Sequence, residues 1–254
     1  MTSHWFALDL PGFTVEVVPE VDSTNSELMR RARAGRLEPV LLVAERQSAG
    51  RGRLGRQWIS TQGQSALTFS LGLPLSPRDW SGLSLAVGLG VAQSLHPDLR
   101  LKWPNDVWWQ GRKLAGILIE TANWGDSSAT RYAVVGLGIN IDAPAACGLS
   151  TPAAWLRELW PDMDAPQALL RIATPLLQAI KAFEAHGFAP VQARFNRRDA
   201  LAGVAVTLSD GTIGTALGVD AVGALQVQTA QGLKKITSAE VSVRALTAPL
   251  YELL

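Results

Sequence analysis

Residues 49–58 read AGRGRLGRQW, with three glycines, three arginines, one tryptophan and no acidic residue. Glycines let backbone N–H groups approach an anion closely, and guanidinium groups offer paired donors to its oxygens. The stretch therefore predicts a loop that wraps around an anion such as a phosphate. An apolar run, Val40–Ala44, leads into it and predicts a buried strand.

Two alternatives compete for this loop. Gly50 and Gly55 have the spacing of a P-loop, but Arg56 replaces its lysine and Gln57 stands where Ser or Thr would bind magnesium. A solvated basic loop or a nucleic-acid patch is the other alternative. The rest of the sequence has to decide between these alternatives and a loop that binds a small anionic ligand.

Composition favours a ligand site. The chain has 254 residues and a net charge of +1, whereas general nucleic-acid binders carry a strong basic excess. Positive charge is concentrated between Arg46 and Arg56, which is the scale of one small ligand. We therefore expect no nucleic-acid partner.

Catalysis by histidine or cysteine has little support. The single cysteine, Cys147, excludes an intramolecular disulfide, and the three histidines form no pattern with other ligands or nucleophiles. Chemistry is therefore expected from lysine, arginine, carboxylates and backbone donors. No basic signal-like start and no run of membrane-spanning length is present, so we expect a cytoplasmic protein without a membrane partner.

Strand and helix patterns mix along residues 13–195, which predicts an α/β or α+β domain. The predicted strands are Phe13–Val18, Val40–Ala44, Ser65–Gly72, Leu114–Thr121 and Arg131–Ile141, and the predicted helices cover residues 22–33, 80–95 and 165–195 with a break at 187–190.

Beyond Asp199, five short strands separated by glycine turns predict a small β-barrel. They are Val204–Leu208, Ile213–Val219, Ala224–Thr229, Leu233–Ile236 and Val241–Leu246. We divide the chain into a domain of residues 1–199 and a small domain of residues 200–254, which we expect to lean on its neighbour.

Two further stretches allow more than one interpretation. Lys102-Trp103-Pro104-Asn105-Asp106 reads as a turn, and Gly111-Arg112-Lys113 reads as a hairpin tip. Gly136-Leu137-Gly138 resembles the start of a dinucleotide fingerprint but lacks its third glycine. We expect these two glycines to mark a place where a flat ligand lies against the backbone.

Taken together, five stretches resemble biotin protein ligases over nearly the whole chain and in the family's order. They are Asp22-Ser23-Thr24-Asn25, Gln47 with Gly50–Arg56, Lys102–Asp106, Arg112–Gly116 and Gly136–Asn140. The resemblance implies an α+β, mixed-sheet catalytic domain and a C-terminal SH3-like β-barrel. It also implies activation of biotin with MgATP to biotinyl-5′-AMP, followed by transfer to a lysine of a biotin carboxyl carrier protein or domain of a carboxylase.

The resemblance assigns roles to individual residues. Those implied for biotin are Ser23, Thr24, Asn25, Gln47, Gly50, Arg51, Gly52, Arg53, Lys113, Gly116 and Gly136. Those implied for ATP or the adenylate are Arg51, Arg53, Arg56, Trp58, Asn105, Lys113 and Asn140. The catalytic set is Lys113, Arg51, Arg53 and Asp106, with Asp106 also the candidate ligand for Mg²⁺. Glu240 and Arg244 are further candidates for an ATP contact.

Several questions stay open at the level of sequence. Leu54 and Gln57 occupy positions that are often basic in the family. About a dozen residues precede the first strand, so no winged helix-turn-helix and no repressor activity are expected. Lipoate protein ligase is the alternative enzyme, and a nucleic-acid-binding protein is the alternative without catalysis. Whether the chain forms a homodimer is not determined.

Overall fold

The computed structural model describes Trp5 and residues 8–58, 66–124, 127–144, 151–237 and 243–245. Residues 14–140 contain a seven-stranded sheet in the order β1-β2-β3-β7-β6-β5-β4. β1 and β2 are parallel, and every other neighbouring pair is antiparallel. The strands are β1 (Thr14–Val21), β2 (Val40–Gln47), β3 (Ala66–Leu75), β4 (Arg100–Lys102), β5 (Asp106–Trp109), β6 (Arg112–Trp124) and β7 (Ser127–Asn140).

Four α-helices accompany the sheet: α1 (Thr24–Arg33), α2 (Leu83–Leu95), α3 (Ala165–His186) and α4 (Gln192–Asn196). The predicted helix over 80–95 begins later, because Gly82 adopts a left-handed φ of 83°. The predicted break after α3 is confirmed, with Gly187 at a φ of 68°. No helix in the described ranges is both long and apolar enough to cross a membrane.

The two faces of the sheet are covered by different helices. Alternate residues of β2 illustrate this: Leu41 and Val43 belong to the main core with α2 and α3, whereas Leu42 packs with Leu28 of α1. α1 also makes the crossover between the parallel strands β1 and β2. This crossover puts the N-terminus of α1 at the carboxyl end of β1.

The strands β4 and β5 are not among the strands predicted from the sequence. β4 and β5 flank the turn at Pro104 and Asn105, and β5 and β6 form the predicted hairpin. Its tip is Gln110 and Gly111, with φ values of 47° and 76°. Positive φ values at both central residues are typical of a tight two-residue hairpin turn.

The C-terminal residues form a separate five-stranded sheet in the order β11-β10-β9-β8-β12. All its neighbouring strands are antiparallel, as expected for the small barrel. The strands are β8 (Ala205–Leu208), β9 (Ile213–Val219), β10 (Leu225–Thr229), β11 (Gly232–Ile236) and β12 (Val243–Ala245). Cys147, His4 and Glu240, and the ends of the predicted strand 241–246, lie outside the described residues.

The segment that leads into the small sheet lies beside β4. Leu101 donates its N–H to the Arg198 carbonyl at 2.8 Å and accepts from the Ala200 N–H at 2.8 Å. The buried Trp103 Nε1 donates to the Gly223 carbonyl at 3.1 Å. The C-terminal apolar residues belong to the same core cluster as α2 and α3, so this sheet leans on the larger one. The domain boundary at residues 199 and 200 stays a prediction.

Candidate active site

A cavity of about 220 Å³ opens beside the N-terminus of α1. Its wall comes from α1, the end of β2, residues 51–58, the β5–β6 hairpin and β7. Every residue assigned to the biotin, adenylate and catalytic sets lines this cavity except Gly50. The structure does not describe the side chains of the further candidates Glu240 and Arg244. Gly50 lies just outside the lining, where an added Cβ would come within 2.3 Å of the Trp58 carbonyl oxygen. It shapes the loop instead of lining the cavity.

One side of the cavity, here called the polar half, is uncharged and buried. It is lined by Ser23, Thr24, Asn25 and Gln47, and the buried Ser70 of β3 lies behind them. Ser23 is the N-cap of α1, so the helix start fixes the next two side chains in place. Gln47 ends β2, and its Oε1 accepts from the Thr24 N–H at 2.8 Å. Ser70 Oγ lies 2.7 Å from both Thr24 Oγ1 and Asn25 Oδ1. These groups form one preorganised hydrogen-bond network.

Gly136 makes room for this network. A Cβ at this position would lie 1.9 Å from Asn25 Oδ1, so only glycine lets Asn25 reach across β7. Asn25 Nδ2 then donates to the Leu118 carbonyl at 3.2 Å and to Glu120 Oε2 at 3.0 Å. The prediction of a flat ligand against Gly136 is replaced here by a side chain of the protein itself.

The other side, here called the charged half, consists of Arg51, Arg53, Arg56, Lys113 and Asp106. Its three arginines lie on a compact loop. The Trp58 N–H donates to the Gly50 carbonyl at 2.9 Å, and the Gly52 N–H donates to the Arg56 carbonyl at 2.7 Å. At the tip, Leu54 has a φ of 56° and is 55% exposed. The loop is therefore closed at its base and open to solvent at its tip.

Lys113 and Asp106 form the ion pair at the centre of the charged half. Lys113 Nζ lies 2.7 Å from Asp106 Oδ1, and both side chains are at least two-thirds buried. The hairpin register places them on adjacent strands, since Asp106 pairs with Gly116 and Trp108 with Lys113. Burial lowers the pKa of the half-buried Arg53 guanidinium, and the nearby Asp106 carboxylate opposes this shift. The cavity thus concentrates cations around a single carboxylate.

Trp58 lies flat against the second glycine of β7. A Cβ at Gly138 would lie 2.3 Å from the Trp58 ring, and one at Gly116 would lie 3.4 Å from it. Lys113 Nζ is 6.0 Å from the centre of the same ring. The flat group over Gly138 is therefore an indole that forms one wall of the cavity.

Asn105 and Asn140 both use their amide nitrogens to hold backbone. Asn105 Nδ2 donates to the Ile117 carbonyl at 2.7 Å, and Asn140 Nδ2 donates to the Ala154 carbonyl at 2.9 Å. These bonds join the turn after β4 to β6, and the end of β7 to the segment at residue 154. The predicted contacts of these residues with ATP stay predictions.

Sequence reasoning missed Ser70 and Glu120, although each carries a signal. Ser70 is a polar interruption in the apolar strand β3. Glu120 follows Gly116 and Leu118 at the period of two that places alternate residues on one face of a strand. Their partners lie on other elements, up to 95 residues away in sequence, which no local pattern indicates.

This mixed sheet, its docked barrel and a cavity that is neutral on one side and cationic on the other define a class of protein. It is an α+β protein whose cavity suits a ligand that is neutral at one end and anionic at the other. Within the described residues, no group of three or more His, Cys, Asp or Glu side chains could hold a metal ion.

Comparisons with known proteins identify the particular family. Residues 17–140 match the biotin/lipoate A/B protein ligase family, and residues 203–244 match the biotin protein ligase C terminal domain. The chain belongs to the biotin protein ligase family, and the fold expected from the sequence is confirmed.

Three similar proteins illustrate the match. The bifunctional ligase/repressor BirA of Escherichia coli (strain K12) is 34% identical, over 93% of this chain and 76% of BirA. The biotin--[acetyl-CoA-carboxylase] ligase of Paracoccus denitrificans is 33% identical, over 89% of this chain and 98% of that ligase. The structure of the biotin protein ligase from Aquifex aeolicus in complex with biotin and ATP superposes with a TM-score of 0.76 and 31% identity, over 91% of this chain and 99% of that chain.

Proposed function

We propose that this chain joins biotin to ATP and then transfers the biotinyl group to a lysine of a carboxylase carrier domain. The observation that carries this proposal is one cavity with an uncharged hydrogen-bonding half and a cationic half. Biotin has a neutral ureido ring at one end and a carboxylate at the other. ATP adds further negative charge beside that carboxylate.

The polar half suits the ureido ring. Neutral donors and acceptors recognise a neutral polar head without the desolvation cost of buried charges. Ser23, Thr24 and Gln47 are already fixed by α1 and β2, so binding requires little ordering. Asn25 and the backbone at Gly116 and Gly136 complete this end of the proposed biotin site.

The charged half suits the first chemical step. A biotin carboxylate oxygen attacks the α-phosphorus of ATP, a P–O bond forms, and the bond to the pyrophosphate leaving group breaks. Negative charge is redistributed over the oxygens around the phosphorus in the transition state, where fixed cations stabilise it more than in the ground state. We assign this role to Lys113 and Arg53, supported by Arg56, and we assign the adenine end to Trp58 and Asn140.

Magnesium fits this site as an ion carried mainly by the nucleotide. Mg²⁺ is commonly bound by one or two carboxylates together with substrate phosphates. Asp106 is the one carboxylate among the described residues that line the cavity, and it already faces Lys113. Asp106 would therefore be the ligand supplied by the chain, and the ion would neutralise phosphate charge.

In the second step, the amine of the acceptor lysine attacks the carbonyl carbon of the mixed anhydride, and AMP leaves. The amine must first lose a proton, because its ordinary pKa is about 10.4. Asp106 is our candidate to accept that proton, because it is the carboxylate within the cavity. The partner is a biotin carboxyl carrier protein or domain, and we expect the reaction to occur in the cytoplasm, where ATP is available.

The first test is biotin-dependent exchange of pyrophosphate into ATP in the presence of Mg²⁺, with lipoate replacing biotin in a parallel reaction. We expect exchange with biotin and none with lipoate. Transfer to a purified carrier domain is then followed by the mass increase of the acceptor. Exchange with lipoate alone would assign the chain to lipoate ligation. Binding of a nucleic acid that needs no ATP and weakens steeply as the salt concentration rises would favour a nucleic-acid-binding protein.

A further inference from the structure

Glu120 holds the first arginine of the loop, Arg51, from the strand β6. Its carboxylate is on β6, and Arg51 binds it through both terminal nitrogens, at 3.2 and 3.0 Å. Arg51 Nη1 also donates to Ser26 Oγ of α1 at 3.3 Å. One guanidinium therefore joins the loop, the strand β6 and the helix α1.

The same carboxylate also belongs to the polar half. Asn25 Nδ2 donates to Glu120 Oε2 at 3.0 Å, and that oxygen is shared with Arg51. Asn25 is in turn fixed by Ser70. Glu120 is thus a direct link between the buried hydrogen-bond network and the arginine loop.

Arg51 differs from Lys113 in where its carboxylate partner lies. Its carboxylate partner, Glu120, is outside the cavity lining, whereas Asp106 is inside it. An Arg51 guanidinium that turned fully toward a substrate anion would give up this two-point ion pair and leave Glu120 charged near that anion. Two-point geometry fixes the orientation of a guanidinium as well as its position.

We propose that Glu120 is a positioning residue that latches the loop, and that the side chain of Arg51 acts through Glu120. The latch holds the base of the loop against α1 and β6, so that Arg53 and Trp58 are presented to the cavity. This inference rests on the proposed biotin-activating function and changes the role that the family resemblance implies for Arg51.

A double-mutant cycle tests the latch. The variants are Glu120→Gln, Arg51→Gln and the double variant, and the measurement is the dissociation constant for biotin. Glutamine at 120 keeps an acceptor for Asn25 and removes the charge. If both residues act as one unit, each single variant weakens binding about fivefold, as expected for a partly exposed ion pair, and the double variant weakens it by the same about fivefold.

The matched control is Glu20→Gln. Glu20 pairs with Arg46 at 3.0 Å between β1 and β2, also as a partly exposed carboxylate–guanidinium pair, but outside the cavity. We expect its biotin affinity to equal that of the wild type. Trypsin cleavage after Arg53 supplies a second readout: without ligand, Glu120→Gln is cut about fivefold faster than Glu20→Gln at an unchanged melting temperature.

The outcomes separate the latch from the proposed function. If the wild type does not bind biotin, the proposed function fails, while the cleavage comparison still tests the latch. If the wild type binds biotin and the losses multiply in the double variant, Arg51 contacts the substrate and the latch is wrong. Tighter binding by Glu120→Gln would also overturn it, because Glu120 would then be competing with the substrate for Arg51.

Discussion

The polar half and the charged half of the cavity are built in opposite ways. The polar half lies on a helix N-terminus and two central strands, and its side chains are already bonded to one another. The charged half lies largely on a loop, and its cations face carboxylates of the same chain, Asp106 and Glu120. The uncharged side chains are thus already bonded to one another, whereas two of the cations are balanced by carboxylates.

This difference follows from the cost of leaving each kind of group without a partner. A buried hydroxyl or amide needs only a nearby acceptor, which rigid elements supply. Cations gathered in one cavity repel one another unless counter-charges are present. Arg51 and Lys113 are each paired with such a counter-charge, Glu120 and Asp106.

Lys113→Ala should separate the two halves most strongly. We expect biotin-dependent pyrophosphate exchange to fall by about two orders of magnitude, because a fixed charge at the reacting centre is lost. Biotin affinity should change much less, since the polar half stays intact. The control is Lys181→Ala, which removes an exposed lysine of α3 paired with Glu184. Equal losses of affinity and exchange in Lys113→Ala would contradict the division.

The two glycines of β7 allow each half to be damaged separately. Gly136→Ala drives a Cβ into Asn25 and should raise the biotin dissociation constant about tenfold or more. Gly138→Ala drives a Cβ into Trp58 and should instead raise KM for ATP by a similar factor. The variants serve as controls for each other in titrations with both ligands. If both variants impair the same ligand equally, β7 does not divide the site.

Two carboxyl groups, those of Asp199 and Asp22, should make the free energy of unfolding depend on pH in opposite directions. Burial raises the pKa of Asp199, beside β4, to about 6. Between about pH 4 and 6 the folded state then binds more protons than the unfolded state. The free energy of unfolding should therefore fall by about 2 to 3 kcal/mol as the pH rises through that range.

Asp22, before the polar half, behaves in the other direction. Arg30 lowers its pKa to about 2, so the stability it provides is lost as the pH falls from about 4 to 2. Denaturant unfolding of the wild type, Asp199→Asn and Asp22→Asn at a series of pH values measures both contributions. A wild-type slope between pH 4 and 6 that survives in Asp199→Asn would disprove the assignment to that carboxyl.

Ligand protection of the loop is the smallest expected effect. Biotin with MgATP should slow tryptic cleavage after Arg53 severalfold, since ordering over the adenylate hides an otherwise exposed tip. Cleavage after Arg36, on the far side of α1, is the internal reference. Protection of both sites by the same factor would indicate general stabilisation and not closure of the loop.

Much of this architecture was predictable from local chemistry. Ser23 and Gly35 mark the ends of α1, and the glycine turns beyond Asp199 separate the strands of the small sheet. β4 and β5 were not predicted, because strands of three and four residues are too short to show a reliable alternation. The hairpin was predicted from local turn chemistry with its tip at Gly111-Arg112-Lys113, but the tip is Gln110 and Gly111, and Arg112 and Lys113 already belong to β6.

The site was predictable as a set of residues but not as a set of contacts. Fixed sequence motifs brought all but Gly50 of the residues assigned to the biotin, adenylate and catalytic sets to the cavity lining. The pairing of Arg51 with Glu120 spans 69 positions, and no periodicity carries it. Likewise, nothing in the pattern of β7 shows that Asn25 and Trp58 fill the spaces over its two glycines. Such contacts depend on how the elements pack.

The bond from Trp103 to the Gly223 carbonyl limits how such proteins can be recombined. A chimera joined near residue 200 would place Trp103 against the barrel of another protein. Its indole N–H would then lose the Gly223 carbonyl as its acceptor. Gly223 fits because an added Cβ would lie 2.9 Å from Gly82 Cα. Modules that exchange successfully should therefore carry the 82–85 and 101–103 segments together with the barrel.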